Sequence, residues 1–248
     1  MIGQRLIAVG DAHIGAGPPA HQAALLEFLE EAPRLGDALL VTGDLFDFWF
    51  AYQRVIPRAG FAVAAALGRL RQQMPIIMTG GNHDRWGDEF WHSDLNIEFH
   101  PNQARFDAAG RQVLAVHGDG ITERHWTASL LQRVTSHRAT VKLFGALHPS
   151  IGFWIADTMN HGLGNTVVDP AVLDAAAIRQ RQWAEAKLAA DPGLGLIVMG
   201  HTHRAAAVEV HPGRWYLNPG AWLDGYRYAI CSESGVELRK FEGTAKSE

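Results

Sequence analysis

Two histidines stand two residues apart directly after an apolar run, in the stretch LGLIVMGHTHR (194–204). Residues i and i+2 of an extended segment point to the same side, so His201 and His203 would present two imidazoles together. Neutral imidazole is the commonest metal ligand among protein side chains. The chain holds 13 histidines in 248 residues, so such a pair also arises by chance, and this stretch alone leaves the metal interpretation open.

The same plan recurs at four other places. In each, an apolar run ends in glycine, or in histidine followed by glycine. Aspartate, asparagine or histidine residues, which could supply oxygen or nitrogen to a metal, stand next to that end. The stretches are RLIAVGDAH (5–13), ALLVTGD (38–44), PIIMTGGNHD (75–84) and QVLAVHGD (112–119). Each motif is weak by itself, because short polar clusters are common. Five of them, each at the end of an apolar run, favour a single site.

Buried strands must carry these motifs, with helices between the first of them. The pattern predicts helices over 19–36, 58–73 and 170–193, the last with Asp169 as N-cap and Pro170 in its first turn. Strand–helix alternation predicts an α/β sheet with parallel strands, whose carboxyl ends gather functional sites. Alternating segments with hairpin-like turns follow at 96–100, 104–117, 205–218 and 225–241, the turns being Ala109-Gly110, Pro212-Gly213 and Ser234-Gly235.

Composition excludes several classes of protein. Hydrophobic residues make up 47% and charged residues 19%, which is ordinary for a globular chain, and the net charge of −4 gives no basic field for nucleic acid. The single cysteine, Cys231, excludes a disulfide framework and suits the cytoplasm. The apolar run Leu6 to Val9 is too short for a signal peptide, and no stretch approaches the roughly 20 apolar residues of a membrane span.

Together the five motifs resemble those of the calcineurin-like metallophosphoesterase superfamily, from about Leu6 to Trp222. The resemblance implies an α/β fold, a four-layer αββα double β-sheet sandwich. We expect one such domain over residues 1–242 and a frayed tail over 243–248. In this chemistry, two divalent ions about 3.5–4 Å apart clamp the attacking and leaving oxygens of an in-line displacement at phosphorus. A shared hydroxide, acidified by the ions, is the nucleophile.

The resemblance also implies which residues hold the metals. Asp44 bridges the two ions; the first ion is completed by Asp11, His13 and His203, and the second by Asn82, His117 and His201. Mn²⁺ suits these nitrogen and oxygen ligands, while Fe, Zn or Co would bind as well by intrinsic affinity.

His83 follows a metal ligand and, by the same resemblance, contacts the phosphate or protonates the leaving oxygen. Asp84 or another carboxylate could hold its ring. Asp47 and Asp119 either orient ligands or only cap turns. We favour supporting roles behind the metal ligands for Asp47, Asp84 and Asp119.

One branch of the superfamily is especially similar. GDLFDFWF (43–50) resembles the Gly-Asp-x-Phe-Asp/Glu-x-Trp stretch of the bacterial UDP-2,3-diacylglucosamine diphosphatases of lipid A biosynthesis, which cleave the pyrophosphate of a UDP-linked, twice-acylated sugar. VLAVHGDGIT and GHTHRAAAVEV look like theirs as well. The resemblance implies a phosphorylated lipid substrate and contact with the inner face of the membrane.

A long segment at about 123–165 corresponds to the helical cap of that family, which covers the acyl chains. Candidate substrate-binding residues combine cations with apolar side chains: Arg124, Arg133, Arg138, Lys142, Phe144 and Trp154. The alternative is an ordinary amphipathic hairpin whose apolar face is core.

Two other functions stay open. The lipid A enzymes commonly carry arginine where this chain has His83. An alkoxide leaving group needs a proton far more than a phosphate leaving group does. His83 therefore favours a phosphomonoesterase or phosphodiesterase. NPGAW (218–222) resembles both groups: its Asn-Pro-Gly is similar to generic phosphodiesterases and its Gly-Ala-Trp to the lipid A enzymes. A scaffold that has lost catalysis is the third interpretation, and the complete set of candidate ligands argues against it.

Overall fold

The computed structural model describes residues 1–52, 54–87, 89–122, 138–164 and 170–243. Strands in these ranges form two sheets. In chain order they are β1 (Leu6–Val9), β2 (Ala38–Val41), β3 (Ile76–Thr79), β4 (Glu98–His100), β5 (Gln103–Ala108), β6 (Arg111–Val116), β7 (Leu194–Met199), β8 (Ala206–His211), β9 (Arg214–Asn218), β10 (Arg227–Ser232) and β11 (Gly235–Lys240).

Helices join the early strands and flank the later ones. They are α1 (Pro19–Leu35), α2 (Phe61–Arg71), the short α3 (Asp119–Thr122), α4 (Arg138–Ala146), α5 (Pro149–Gly164) and α6 (Pro170–Ala190), with a π-helical turn at Phe90–Asp94. The three predicted helices are confirmed, although α2 and α6 are shorter than expected. The predicted N-cap Asp169 lies outside the described residues.

Parallel pairing dominates the centre of both sheets. The first sheet has the order β11-β10-β1-β2-β3-β4, with β1 to β4 parallel, and the second has the order β5-β6-β7-β9-β8, with β6, β7 and β9 parallel. Hairpins turn at Ala109-Gly110 and Pro212-Gly213 as predicted. The third turn lies one residue earlier than predicted, because Gly235 already pairs with Ser232.

Three apolar layers separate four layers of secondary structure. Alternate residues of β1 show the arrangement: Ile7 packs outward toward α1 and α2, whereas Leu6 packs inward against the second sheet. Ile197 of β7 packs on the opposite face of the second sheet, against α6. The layers run helix, sheet, sheet, helix, so the predicted αββα sandwich is confirmed.

The described part of the expected cap is helical. It consists of α4 and α5, while residues 123–137 and 165 lie outside the described ranges. The division into one domain, a cap and a tail stays a prediction. Within the ranges given above, no helix has both the length and the apolar character needed to cross a membrane.

Candidate metal centre

Loops after five strands converge at one edge of the two sheets. The loops follow β1, β2, β3, β6 and β7, the strands that carry the five motifs. Backbone hydrogen bonds tie these loops to each other: the N–H of Asp11 donates to Gly43 O at 3.0 Å, and that of Gly200 donates to His117 O at 3.0 Å. Parallel strands of one sheet present their carboxyl ends at the same edge, and the hydrogen bond from the N–H of His201 to Oδ1 of Asp11 joins the edges of the two sheets.

Asp11, His13 and His203 form the first group of metal-ligating side chains. Nε2 of His203 lies 3.6 Å from Oδ1 of Asp11, and one ligand atom from each of the three residues lies within 4.8 Å of the others. Asp11 is fully buried, while both imidazoles are partly exposed. These are three of the four residues that the resemblance assigns to one ion.

Asp44, His117 and His201 form the second group, again with ligand atoms within 4.8 Å of each other. Nε2 of His117 lies 3.1 Å from Oδ2 of Asp44 and 3.3 Å from Oδ1 of Asn82. The structure therefore brings together all four residues that the resemblance assigns to the other ion.

Asp44 lies between the two groups. Its Oδ2 atom is 3.9 Å from Nε2 of His13, a member of the first group, as well as 3.1 Å from Nε2 of His117. Asp44, His13 and His83 form a third, overlapping set of candidate ligands. A carboxylate that faces an imidazole from each group has the position that a bridging ligand requires.

Five candidate ligands adopt a left-handed backbone conformation that residues other than glycine rarely take. They are Asp11 (φ 50°), His13 (φ 45°), Asp44 (φ 48°), His201 (φ 70°) and His203 (φ 57°). Each such residue costs about 1–3 kcal/mol, and strain of this kind clusters at functional sites because the surrounding structure must enforce it. The surrounding structure therefore keeps these five residues in a backbone conformation that they do not prefer on their own.

Hydrogen bonds fix the orientation of individual ligands. Nδ1 of His117 lies 2.8 Å from Thr42 O, which keeps Nε2 turned toward Asp44. The backbone N–H of His201 donates to both carboxylate oxygens of Asp11, at 2.9 and 3.1 Å. A second hydrogen bond on the far ring nitrogen is the usual way that proteins orient a metal-bound histidine.

Charge and burial set the protonation of the metal-free site. Burial lowers the pKa of His13 to about 3 and that of His201 to about 4, so both imidazoles are neutral at pH 7, as metal ligands must be. Burial raises the pKa of Asp11 to about 6. Burial also disfavours a charged His117, but the carboxylate of Asp44 overcomes it and raises the pKa of His117 to about 10.

His83 is held by a backbone carbonyl, not by the side chain of Asp84. Its Nδ1 atom lies 2.7 Å from Asp47 O. The Asp84 carboxylate instead accepts the backbone N–H groups of Leu45 at 2.7 Å, Gly81 at 2.8 Å and Asp44 at 3.2 Å. Of the two alternatives, Asp84 is therefore not the carboxylate beside the ring, because N–H groups of its own loop and of the loop after β2 occupy its oxygens.

The remaining carboxylates lie around the ligands. Oδ1 of Asp47 is 3.9 Å from Nδ1 of His13 and 3.9 Å from Nδ1 of His83. Asp119 forms a buried ion pair with Arg85, which joins the loop after β6 to the loop after β3. Sequence reasoning missed Arg85, although it directly follows the Gly-Asn-His-Asp motif.

Sequence reasoning also missed Gln180, a buried polar residue of α6. The buried face of this helix has a four-residue spacing of Ala176, Gln180, Ala184 and Leu188. A glutamine within an otherwise apolar stripe was the available signal, because such a residue must find hydrogen-bond partners in the core.

The predicted substrate-binding residues differ in how exposed they are and in what they contact. Arg124 and Arg133 lie outside the described residues, and of Arg138 the structure gives only its place at the start of α4. Lys142 is exposed and Trp154 is 67% exposed. The ring of Phe144 packs 4.9 Å from that of Phe50, in the loop after β2.

The donor set fits divalent cations. Among the described residues, Nε2 of His13 is a buried atom with no hydrogen-bond partner, although it faces Asp44. A buried polar atom is normally satisfied, so an orphaned imidazole nitrogen beside a carboxylate indicates a bound cation in the working protein. Nitrogen and oxygen donors with no thiolate suit Mn²⁺, Fe, Co or Zn.

Fold and site together define a metal-dependent phosphoesterase. The family model of the calcineurin-like phosphoesterases matches residues 4–205, and the chain belongs to that family. It is accordingly a metal-dependent hydrolase of phosphate esters or anhydrides.

Individual relatives confirm the resemblance to the UDP-2,3-diacylglucosamine enzymes. The UDP-2,3-diacylglucosamine hydrolase of Serratia proteamaculans is 27% identical, covering 94% of this chain and 97% of the relative. That of Aeromonas salmonicida is 29% identical, covering 94% and 91%. Among solved structures, the phosphoesterase Yfce from E. coli is 15% identical with a TM-score of 0.44, covering 91% of this chain and 87% of Yfce.

Proposed function

We propose that this protein hydrolyses the pyrophosphate bond of UDP-2,3-diacylglucosamine or a close analogue, using two divalent metal ions. The observation that carries the proposal is the position of Asp44 between two histidine–aspartate groups. Near full-length similarity to proteins named for this substrate supports the choice of substrate.

The proposed division of ligands follows the two groups. Asp11, His13 and His203 would hold one ion, Asn82, His117 and His201 the other, and Asp44 both. When bound, the ions would clamp the attacking and leaving oxygens of an in-line displacement at phosphorus. Mn²⁺ is our first choice, with Fe, Zn or Co as alternatives.

His83 would work on the substrate from the rim of the site. Its side chain is 25% exposed, and its Nδ1 atom is engaged by Asp47 O. Among the residues that the structure describes, no hydrogen bond engages Nε2, so when this atom is protonated it can donate a hydrogen bond to a phosphate oxygen or transfer its proton to the leaving oxygen. In a pyrophosphate the leaving phosphate needs little protonation, so binding would be the main role of His83 in that reaction.

The cap helices would meet the lipid part of the substrate. Leu143 on α4 and Ile151 and Trp154 on α5 are exposed by 70%, 49% and 67%, beside the exposed cation of Lys142. Apolar side chains next to a cation suit a lipid phosphate at a membrane surface. We therefore propose peripheral membrane contact through α4 and α5.

A second candidate function is hydrolysis of an ordinary phosphate ester. The specific observation in its favour is His83 itself, an imidazole whose Nδ1 is held by Asp47 O and whose Nε2 has no hydrogen-bond partner in the described part of the chain. This arrangement suits a general acid for an alkoxide leaving group, which a pyrophosphatase does not need.

Parallel assays with added Mn²⁺ separate the two candidates. The proposal predicts release of UMP and an acylated sugar 1-phosphate from UDP-2,3-diacylglucosamine, with kcat/KM far above that for p-nitrophenyl phosphate or its bis ester. The Asp44→Asn variant is the control for contaminating hydrolases. Faster turnover of the small esters, with no UMP released, would favour the second function.

A further inference from the structure

Gln180 of α6 reaches the loop that carries His201 and His203. Its side chain is fully buried. Nε2 of Gln180 donates to Gly200 O at 3.0 Å, and Oε1 accepts the hydroxyl of Thr202 at 3.2 Å. Gly200 and Thr202 flank His201, so Gln180 bonds to the backbone on one side of that ligand and to a side chain on the other.

The hydrogen bonds of Gln180 belong to a connected buried network. Oε1 of Gln180 also accepts hydrogen bonds from Tyr216 Oη and Asn218 Nδ2, both at 3.3 Å. Asn218 Nδ2 lies 3.0 Å from Gly200 O and 3.1 Å from Thr202 Oγ1. Two side-chain amides thus bind the loop: Gln180 from α6 and Asn218 from β9.

Gln180 also adjoins the loop of His117. A Cβ atom placed on Gly118 would lie 2.3 Å from Nε2 of Gln180, so the glutamine packs directly against the residue after His117. Gly118 has a φ of 109°, a region that favours glycine. Two ligand-carrying loops therefore meet the same buried side chain.

The loop needs such support because its ligands are strained. His201 and His203 have φ of 70° and 57°, which non-glycine residues rarely adopt unless the surroundings enforce it. The carboxylate of Asp11, on the loop after β1, also accepts the N–H of His201. Gln180 and Asp11 thus hold the same short loop between them.

We propose that Gln180 is a positioning residue that holds the 200–203 loop so that His201 reaches one metal and His203 the other. The inference rests on the two-metal centre of the proposed function. It adds that α6, a helix that contributes no candidate ligand, determines how tightly that centre binds metal. The role acts through backbone geometry, not through contact with substrate.

Calorimetric titration of the metal-free protein with Mn²⁺ tests this role. Gln180→Met keeps the volume and removes the hydrogen bonds of the glutamine, while Asn218 Nδ2 can still donate to Gly200 O and Thr202 Oγ1. We expect weaker Mn²⁺ binding in both groups, by roughly 10–100-fold, the usual effect of removing a group that orients ligands. Thr202→Val removes the same contact from the loop side, and we expect a smaller loss in the same direction.

Asp174→Asn is the matched control on the same helix. Asp174 pairs with Arg204, just beyond the loop, but it is exposed, so its loss should leave Mn²⁺ affinity unchanged. The proposal is overturned if either folded variant of the network binds two Mn²⁺ ions as tightly as the unmodified chain, whatever its thermal midpoint. Failure of the unmodified chain to cleave UDP-2,3-diacylglucosamine, with Mn²⁺ binding intact, would instead count against the proposed function alone.

Discussion

The backbone carbonyl oxygen of Asp47 lies 2.7 Å from Nδ1 of His83. Because a carbonyl only accepts hydrogen bonds, this contact places a proton on Nδ1. Nε2 has no hydrogen-bond partner within the described ranges, so it is the ring nitrogen that can meet a substrate. The contact also couples two motifs, since Asp47 belongs to the loop after β2 and His83 to the loop after β3.

The first prediction concerns the role of His83. If it donates a proton, His83→Ala should lower kcat on alkyl phosphate esters by about 10²–10⁴-fold, and much less on nitrophenyl esters or pyrophosphates, because only the alkoxide needs the proton. Steady-state kinetics on the three substrate classes checks this. Equal losses in all three would assign His83 to phosphate binding instead.

The second prediction concerns Asp84. Its carboxylate accepts N–H groups from Gly81 and Leu45, and an amide at this position would turn a donor toward at least one of them. We expect Asp84→Asn to lower the free energy of unfolding by about 1–3 kcal/mol, the usual cost of an unsatisfied buried group. Urea denaturation of the metal-free protein measures this.

Asp94→Asn is the control for the Asp84 variant. Asp94 is exposed, so the same change of charge should leave the midpoint of denaturation nearly unchanged. If both variants unfold at the same urea concentration as the unmodified chain, Asp84 does not stabilise the loops as the contacts indicate.

The arrangement of the metal loops could largely be predicted from the sequence. Parallel strands of one sheet end at one edge, so the loops that carry Asp11 and Asp44 were expected to meet once their strands were recognised. The loop of His201 belongs to the second sheet, and its place beside them was implied by the family resemblance. The apolar runs of these strands are short and buried on both faces, which makes them easy to identify.

The supporting contacts could not be predicted, because they depend on three-dimensional packing. Asp84 could equally have held the ring of His83, and only the structure shows backbone N–H groups at its oxygens. Gln180 lies 20 residues before Gly200, on a helix whose distance from the loop no local pattern encodes. Likewise, the contact of the Phe144 ring with Phe50 joins two segments far apart in the chain, and the prediction that Phe144 binds substrate stays a prediction.

The third prediction separates Trp154 from Phe144 in the cap. Apolar burial is worth about 0.8 kcal/mol per CH₂, so kcat/KM of the unmodified protein should rise with acyl chain length until the cap is full. Trp154→Ser should flatten this rise, because its ring is exposed, without affecting a small soluble ester. Phe144→Ser should in addition lower the thermal midpoint, since Phe144 packs on Phe50. A chain-length series with no trend would contradict the lipid-binding cap.

The fourth prediction uses the buried thiol of Cys231. Burial raises its pKa to about 12. A thiol with an ordinary pKa near 8.5 is roughly one quarter thiolate at pH 8, so its alkylation accelerates as pH rises through that range. Cys231 should stay thiol and resist iodoacetamide from pH 7 to 9, with mass spectrometry as the readout. Rapid labelling of the native protein, matching that in urea, would show that the strand is not buried.

The position of Asp44 between the two groups is most directly tested by counting metal ions. After dialysis against Mn²⁺ and removal of excess, elemental analysis should find two ions per unmodified chain, one per His203→Ala chain and fewer than one per Asp44→Asn chain. His203 belongs to a single group, whereas Asp44 faces both. Two tightly held ions in Asp44→Asn would contradict the shared carboxylate.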